Sequence, residues 1–252
     1  MISKQVGFVN RRGETLAGFL DLPVGEKVRS YAVFAHCFTC GKDLKPFGNL
    51  GRALALRGIG LLRFDFSGLG ESEGDFARWT LATDVDDVID ASAFLRANYE
   101  GPKMLIGHSM GGVAVLKAAR EVGSVRAVVT IGTPGNPGDL GGKLIRGRDE
   151  AGVEGETAVT IGGRTFSLRR EFFEQLEAAR IDDVVPRLEK ALLVLHSPVD
   201  DVVGIENAGV IFRLARHPKS FVSLGRADHL LLKKEDAFYA GEVIAAWAGY
   251  YL

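Results

Sequence analysis

Cysteine is nearly absent from this 252-residue chain, with Cys37 and Cys40 the only two. A structural zinc site would need two further Cys or His ligands, whereas the five histidines are scattered singly. The C-x-x-C spacing after an apolar run at residues 31–35 admits a redox pair. The simpler expectation is two small residues packing in a loop. Charge of either sign is not in excess: 31 Lys and Arg against 32 Asp and Glu leave a net charge of -1, so there is no electrostatic ground for nucleic acid as a partner. No apolar run is long enough to span a bilayer, and the start Met1-Ile2-Ser3-Lys4-Gln5 has no apolar signal core. A cytoplasmic protein with no membrane partner is expected. Internal repeats, low-complexity tracts and heptad runs are also missing.

Nucleotide-binding loops are imitated but not made. Gly68-Leu69-Gly70-Glu71-Ser72-Glu73-Gly74 places its last glycine one position late for G-x-G-x-x-G, and reads as a turn in which Asp65 anchors backbone amides. Gly141-Gly142-Lys143-Leu144 lacks the Ser or Thr and the upstream spacing of a phosphate-binding loop. No cofactor and no metal are expected.

What is present is an alternation. Residues 5–10 and 15–22 alternate apolar and polar around a turn at Gly13, which suggests an opening antiparallel hairpin. Apolar runs at 31–35, 59–64, 103–106, 126–131, 191–195 and 221–224 then alternate with helix-like segments at 47–57, 81–98, 113–122, 205–215 and 234–251. In the second of these, Val85, Val88, Ile89, Ser92 and Leu95 form a stripe of period 3.6. The pattern predicts one domain with a mostly parallel eight-stranded sheet and helices on both faces. Residues 133–186 break the alternation and read as a small lid insertion over the sheet edge. Within it, stretches 157–161 and 164–168 flank Gly162-Gly163 as a tight hairpin, and a helix is expected at 169–180.

In an open parallel sheet, reactive groups gather in loops at the carboxyl ends of the strands. Gly107-His108-Ser109-Met110-Gly111-Gly112 lies between an apolar run and a helix-like stretch, so Ser109 sits on a strand-to-helix turn. A bare G-x-S-x-G match is weak in a chain with 32 glycines. It gains weight from the residues at the other strand ends. A serine hydroxyl needs an imidazole to take its proton. His217 precedes the last strand, and His108 is inside the turn with its side chain diverging from Ser109. His36 and His196 end strands, where local hydrogen bonds are the usual role. His229, just past the last strand, is the expected base, completing the order serine, acid, histidine. The imidazole needs a carboxylate on its other nitrogen. Asp200 is favoured over its neighbour Asp201, since one of two adjacent side chains faces the pocket and the other solvent. Negative charge on the attacked oxygen needs N–H donors. Met110 supplies one and the loop after 31–35 the other, Phe38 first and Cys37 second. His36, Cys37 and His108 flank these donors and are expected to contact substrate.

Taken together, these residues resemble the α/β-hydrolase superfamily over nearly the whole chain. The resemblance rests on His36 to Phe38, Asp-Phe-Ser-Gly-Leu-Gly-Glu-Ser at 65–72, the turn around Ser109, Asp200 in Ser197-Pro198-Val199-Asp200, and Asp228-His229. Residues 36–43 and 196–203 are similar to the hydrolase portion of proteins that carry a C-terminal OsmC-like domain. The sequence ends at Leu252, and the peroxide-reducing activity of such a domain is not implied. The resemblance implies an α/β-hydrolase fold and a serine esterase acting on a small-molecule ester through an acyl-enzyme on Ser109. A thioesterase, amidase or perhydrolase with the same triad, and a weakly catalytic binding protein on the same scaffold, stay open. A homodimer is compatible with the composition.

Overall fold

The computed structural model describes residues 1–25, 27–38, 40–139, 156–161 and 164–252. The chain opens with the hairpin β1 (Ile2–Val9) and β2 (Thr15–Leu22), whose register pairs Ile2 with Leu22 and Val9 with Thr15. It continues through β3 (Ser30–Ala35), α1 (Lys45–Ala55), β4 (Ile59–Phe64), α2 (Leu81–Asn98), β5 (Met104–His108), α3 (Met110–Ala118) and β6 (Ala127–Ile131). After the interruption come β7 (Glu156–Ile161), β8 (Arg164–Arg169), α4 (Arg170–Ala178), β9 (Ala191–His196), α5 (Glu206–Leu214), β10 (Lys219–Ser223) and α6 (Lys234–Ala248).

Eight of the strands form one sheet in the order β1-β2-β4-β3-β5-β6-β9-β10. The β1–β2 and β2–β4 pairs are antiparallel and the rest parallel. Every residue of β3, β4, β5, β6 and β9 is buried. That burial explains why these strands read as continuous apolar runs: helices cover both faces, so neither side chain direction meets water. Alternate residues divide between two cores. Val33, Leu62, Leu105, Val128 and Leu192 face the side of α2, α3, α4 and α5. Phe34, Leu61, Ile106, Val129 and Leu193 face α1 and α6. Helix α2 begins at a capping box in which Thr80 and Thr83 exchange hydrogen bonds, satisfying amides that the first turn leaves open. Its stripe is observed: Val88, Ser92 and Leu95 are buried, and Val85 and Ile89 pack against the same core.

The expected elements are found with shifted ends. Strand β5 runs on through Gly107 and His108, because Gly107 pairs with both Ala35 and Thr130, and His108 with Ile131. Helix α3 begins at Met110 rather than 113, since Ser109 itself is its N-cap. It ends at Ala118 rather than 122. Strands β7 and β8 pair as an antiparallel hairpin, separate from the main sheet; its Gly162-Gly163 connection lies outside the described residues. Phe172, Phe173 and Leu176 of helix α4 join the core on the α2–α3 side, and Phe172 reaches the loop after β3. Among the described residues, no helix is long and apolar enough to cross a membrane.

Strand order places the site. The chain leaves β3 for β4 on one side and returns to β5 on the other, so the crossovers diverge at the carboxyl ends of β3 and β5. A crevice opens where successive connections part in this way.

Candidate active site

Ser109 joins β5 to α3 with φ 54 and ψ -123, a conformation that L-residues seldom adopt. Holding a non-glycine residue there costs about 1–3 kcal/mol, so the surroundings must impose it. The Ser109 N–H donates to the Ile131 carbonyl at 2.8 Å, and its own carbonyl accepts from Gly112 N at 2.9 Å. The first turn of α3 also presses on the end of β3. A Cβ on Gly111 would run into the Ala35 and His36 carbonyl oxygens, which is why this position excludes every larger residue. The same contact brings the N-terminus of α3 beside the loop that carries Phe38. The Met110 N–H is among those that an α-helix leaves without an intrahelical acceptor. Among the described residues, the Phe38 N–H has no backbone acceptor.

His229 lies in the loop after β10, and its Nδ1 is 2.8 Å from Asp200 Oδ2. The other carboxylate oxygen, Oδ1, accepts from Val202 N at 3.0 Å and Val203 N at 2.8 Å. This local turn fixes the Asp200 side chain with one oxygen left for the imidazole. Burial would raise the Asp200 carboxyl. The His229 hydrogen bond and charge, with the Val203 and Val202 amides, outweigh burial and hold it below the ordinary carboxylate value. Asp201 is exposed. Asp228 turns its carboxylate to the Leu230 and Leu232 amides, anchoring the loop rather than meeting the imidazole. His196 donates through Nε2 to the Val203 carbonyl at 2.7 Å, and the same nitrogen is 3.6 Å from Asp200 Oδ2. His217 is exposed.

Ser109 and the Asp200–His229 pair meet through two bridges. Gly132 follows Ile131, the residue whose carbonyl binds Ser109, and it has φ 54. A Cβ there would lie 3.2 Å from Asp200 Oδ2 and 3.3 Å from His229 Nδ1. His108, next to Ser109, donates through Nε2 to the His229 carbonyl at 2.7 Å, with ring centroids 4.8 Å apart. Three strand-end loops that are far apart in sequence therefore converge.

Three expectations are corrected here. His36 and His108 are expected to contact substrate, yet both rings are sealed inside. His36 donates through Nδ1 to the Cys37 carbonyl at 2.7 Å, and burial lowers its basicity. Burial, followed by the neighbouring His229, lowers the His108 pKa to about 3, so this ring is neutral. Both are supports: β5 runs two residues past its apolar run and takes His108 inside, and His36 follows β3 directly into the buried interior. Cys37 is also buried, and it is not a separate small residue in a loop: Cys37 and Cys40 form a disulfide, their Cα atoms 5.3 Å apart across a turn in which Cys40 N donates to Cys37 O at 3.1 Å. That turn brings the two within disulfide reach.

Other parts are tertiary and carry no local sequence signal. The Phe38 ring packs against Phe76, Trp79 and Phe172, with centroids 5.1–5.3 Å apart, so an aromatic wall joins the β3 loop, the segment before α2, and α4. The Asp65 anchor is observed: its Oδ1 accepts from Lys42 N at 2.6 Å, and its Oδ2 from Glu71 N at 3.1 Å and Lys42 Nζ at 2.8 Å. Among the described residues, Asp43, Asp65 and Glu71 are the carboxylates close enough to hold a cation together. The Lys42 ammonium already lies among them, 2.6 Å from Glu71 and 3.4 Å from Asp43. A cleft of about 750 Å³ between α2, α3 and α4, lined by Leu81, Val85, Lys117, Arg120 and Gln175, includes none of the residues around Ser109.

Comparison with known proteins gives the same architecture. Residues 32–249 match the model of the alpha/beta hydrolase family. The esterase domain of a Rhodothermus marinus protein is 49% identical, with a TM-score of 0.82 over 100% of this chain and 99% of that one. Est1E of Butyrivibrio proteoclasticus, solved with ferulic acid bound, is 20% identical and shares the fold, with a TM-score of 0.81 over 98% of both chains. Mouse mitochondrial palmitoyl-protein thioesterase ABHD10 is 40% identical over 65 residues, 25% of this chain and 20% of that protein. The chain thus belongs to the alpha/beta hydrolase family.

Proposed function

We propose that the protein is a serine hydrolase of carboxylic esters, with Ser109 as nucleophile, His229 as base, Asp200 as orienting acid, and the Phe38 and Met110 amides as oxyanion donors. The observation that carries this reading is the 2.8 Å hydrogen bond between His229 and Asp200, bridged to the strained Ser109 turn through Gly132 and His108. Likeness to an esterase domain at 49% identity over the whole chain supports it.

The Ser109 hydroxyl attacks the ester carbonyl as His229 Nε2 takes its proton. Asp200 holds the imidazole in the tautomer with Nδ1–H and stabilises the imidazolium. The carbonyl oxygen gains negative charge, which the Phe38 and Met110 N–H groups stabilise. When the tetrahedral intermediate collapses, the alcohol leaves with the proton from His229, and the acyl group stays on Ser109. Water then repeats the cycle, giving up a proton to His229 and releasing the carboxylic acid. The aromatic wall of Phe38, Phe76, Trp79 and Phe172 gives an acyl chain an apolar surface beside the donors. We assign the insertion, residues 133–186, the role of a lid over this surface, within one hydrolase domain. A cytoplasmic location and a small-molecule ester as substrate complete the reading.

Thioester hydrolysis is the second reading, favoured by the local likeness to a palmitoyl-protein thioesterase. Matched ester, thioester and amide donors, assayed with wild type and Ser109→Ala in parallel, separate the two. Ester turnover above thioester turnover, all of it dependent on Ser109, is the expected outcome. The reverse order assigns the thioester reaction.

A further inference from the structure

Phe38 lies between the only two cysteines of the chain, and these are bonded to each other. The loop that carries it is anchored on both sides of the bond. Upstream, the buried His36 donates to the Cys37 carbonyl, and its Nε2 is 3.4 Å from Phe66 N. Downstream, Lys42 is bound through backbone and side chain to Asp65. Between these anchors the described backbone hydrogen bond is a single turn contact, Cys40 N to Cys37 O at 3.1 Å. The disulfide is thus the strongest constraint on the segment that holds the Phe38 amide. Cys37 is buried against the α1–α6 core and Cys40 is half-buried at its margin, so the Cys40 sulfur is the one a thiol can approach.

We propose that the Cys37–Cys40 disulfide is a positioning element for the oxyanion site, holding the Phe38 N–H beside that of Met110 when closed and releasing it when opened by a dithiol. The inference rests on the Phe38 and Met110 assignment above. The exchange is balanced by the dithiol itself. One of its thiolates attacks Cys40 Sγ, the Cys37–Cys40 bond breaks, and Cys37 leaves as a thiolate. The second thiolate of the reagent then attacks the mixed disulfide, releasing Cys40. The dithiol is oxidised to a disulfide, and the protein gains two thiols. In a reducing compartment a bond of this kind persists only transiently, which suits a reversible constraint.

The test measures kcat and KM for a short p-nitrophenyl ester with the air-oxidised enzyme, after dithiothreitol, and after reoxidation with oxidised glutathione. Thiols are counted and melting curves recorded at each stage. Because loss of one oxyanion donor costs about 10² to 10³ in turnover, a loosened donor is expected to lower kcat by about 10-fold or more, with KM changed by less than about threefold. Reoxidation restores kcat, and the Cys37→Ser, Cys40→Ser double variant turns over at the reduced level with or without dithiothreitol. Two titratable thiols at unchanged kcat, in the reduced or the freshly purified protein, overturn the proposal. So does a double variant with wild-type kcat. Where that variant fails to fold, the reduced wild type decides. Where dithiothreitol leaves the bond closed, the double variant decides. Ester turnover that survives Ser109→Ala removes the serine reading itself; turnover that needs Ser109 but ignores the disulfide removes only this proposal.

Discussion

His229 Nδ1 and Asp200 Oδ2 lie 2.8 Å apart, although 29 residues and two secondary-structure elements separate them. The pair forms because β9 and β10 are parallel neighbours, which sets the loops after both strands side by side. Replacing Asp200 with Asn keeps the shape but offers the imidazole a neutral partner and the wrong tautomer. A fall in kcat of about 10²- to 10⁴-fold is expected. Asp201→Asn, on the exposed neighbour, is expected to leave kcat within about twofold and stability within about 0.5 kcal/mol. Steady-state kinetics on the two variants side by side check the assignment, and equal losses would contradict it.

A methyl group at Gly132 tests how closely that pair is held. The residue has φ 54, and an added Cβ would lie 3.2–3.4 Å from Asp200 Oδ2 and the His229 ring. The left-handed backbone alone costs an alanine about 1–2 kcal/mol. Gly132→Ala is expected to lower stability by that amount in urea titration. Its kcat should fall further than its KM rises, because the shifted group acts in the transition state. An unchanged kcat would mean that the pair is free to move.

Burial of His108 makes the fold sensitive to acid. The His108 pKa is lowered by burial from 6.5 to about 3, so across that interval the unfolded chain binds a proton that the folded protein refuses. Stability therefore rises with pH from about 3 to 6.5 and is lost as pH falls through the same window. His36, also lowered, acts in the same sense. Asp84 and Asp87, raised by burial, act in the opposite one. The difference between wild type and His108→Gln isolates the histidine: Gln keeps a donor for the His229 carbonyl but does not titrate. Melting temperature should fall more steeply with acid in wild type than in the variant, and parallel slopes would refute the assignment.

Much of this arrangement is legible in the sequence, for a physical reason. Strands buried on both faces must be continuous apolar runs, and the loops that carry Ser109, Asp200 and His229 follow apolar runs, so the strand-end position of each is readable from the sequence. The inward turn of His108 is not legible. It depends on β5 continuing through Gly107 to pair on both sides, which is a property of its neighbours. The disulfide is hidden for a similar reason, since C-x-x-C spacing states that a bond is reachable but not that the turn closes. The Phe38–Phe76–Trp79–Phe172 wall joins three segments with no shared periodicity.

Lys42 carries structural weight that its sequence position does not announce. Its ammonium lies 2.8 Å from the fully buried Asp65, and burial of the lysine is outweighed by that carboxylate and Glu71, so the group stays charged. Lys42→Met leaves the Asp65 charge buried and unpaired. A loss of about 3–5 kcal/mol in chemical denaturation is expected. A loss below about 1 kcal/mol would show that water replaces the ammonium without strain.

The central claim is that Ser109 is a nucleophile activated by His229. It is tested most directly by reacting the folded protein with a fluorophosphonate probe and mapping the adduct by mass spectrometry, in wild type, Ser109→Ala and His229→Ala. Stoichiometric labelling at Ser109 in wild type is expected, with none in Ser109→Ala and strongly slowed labelling in His229→Ala. A native wild-type protein that stays unlabelled, or one labelled at another residue, would contradict it.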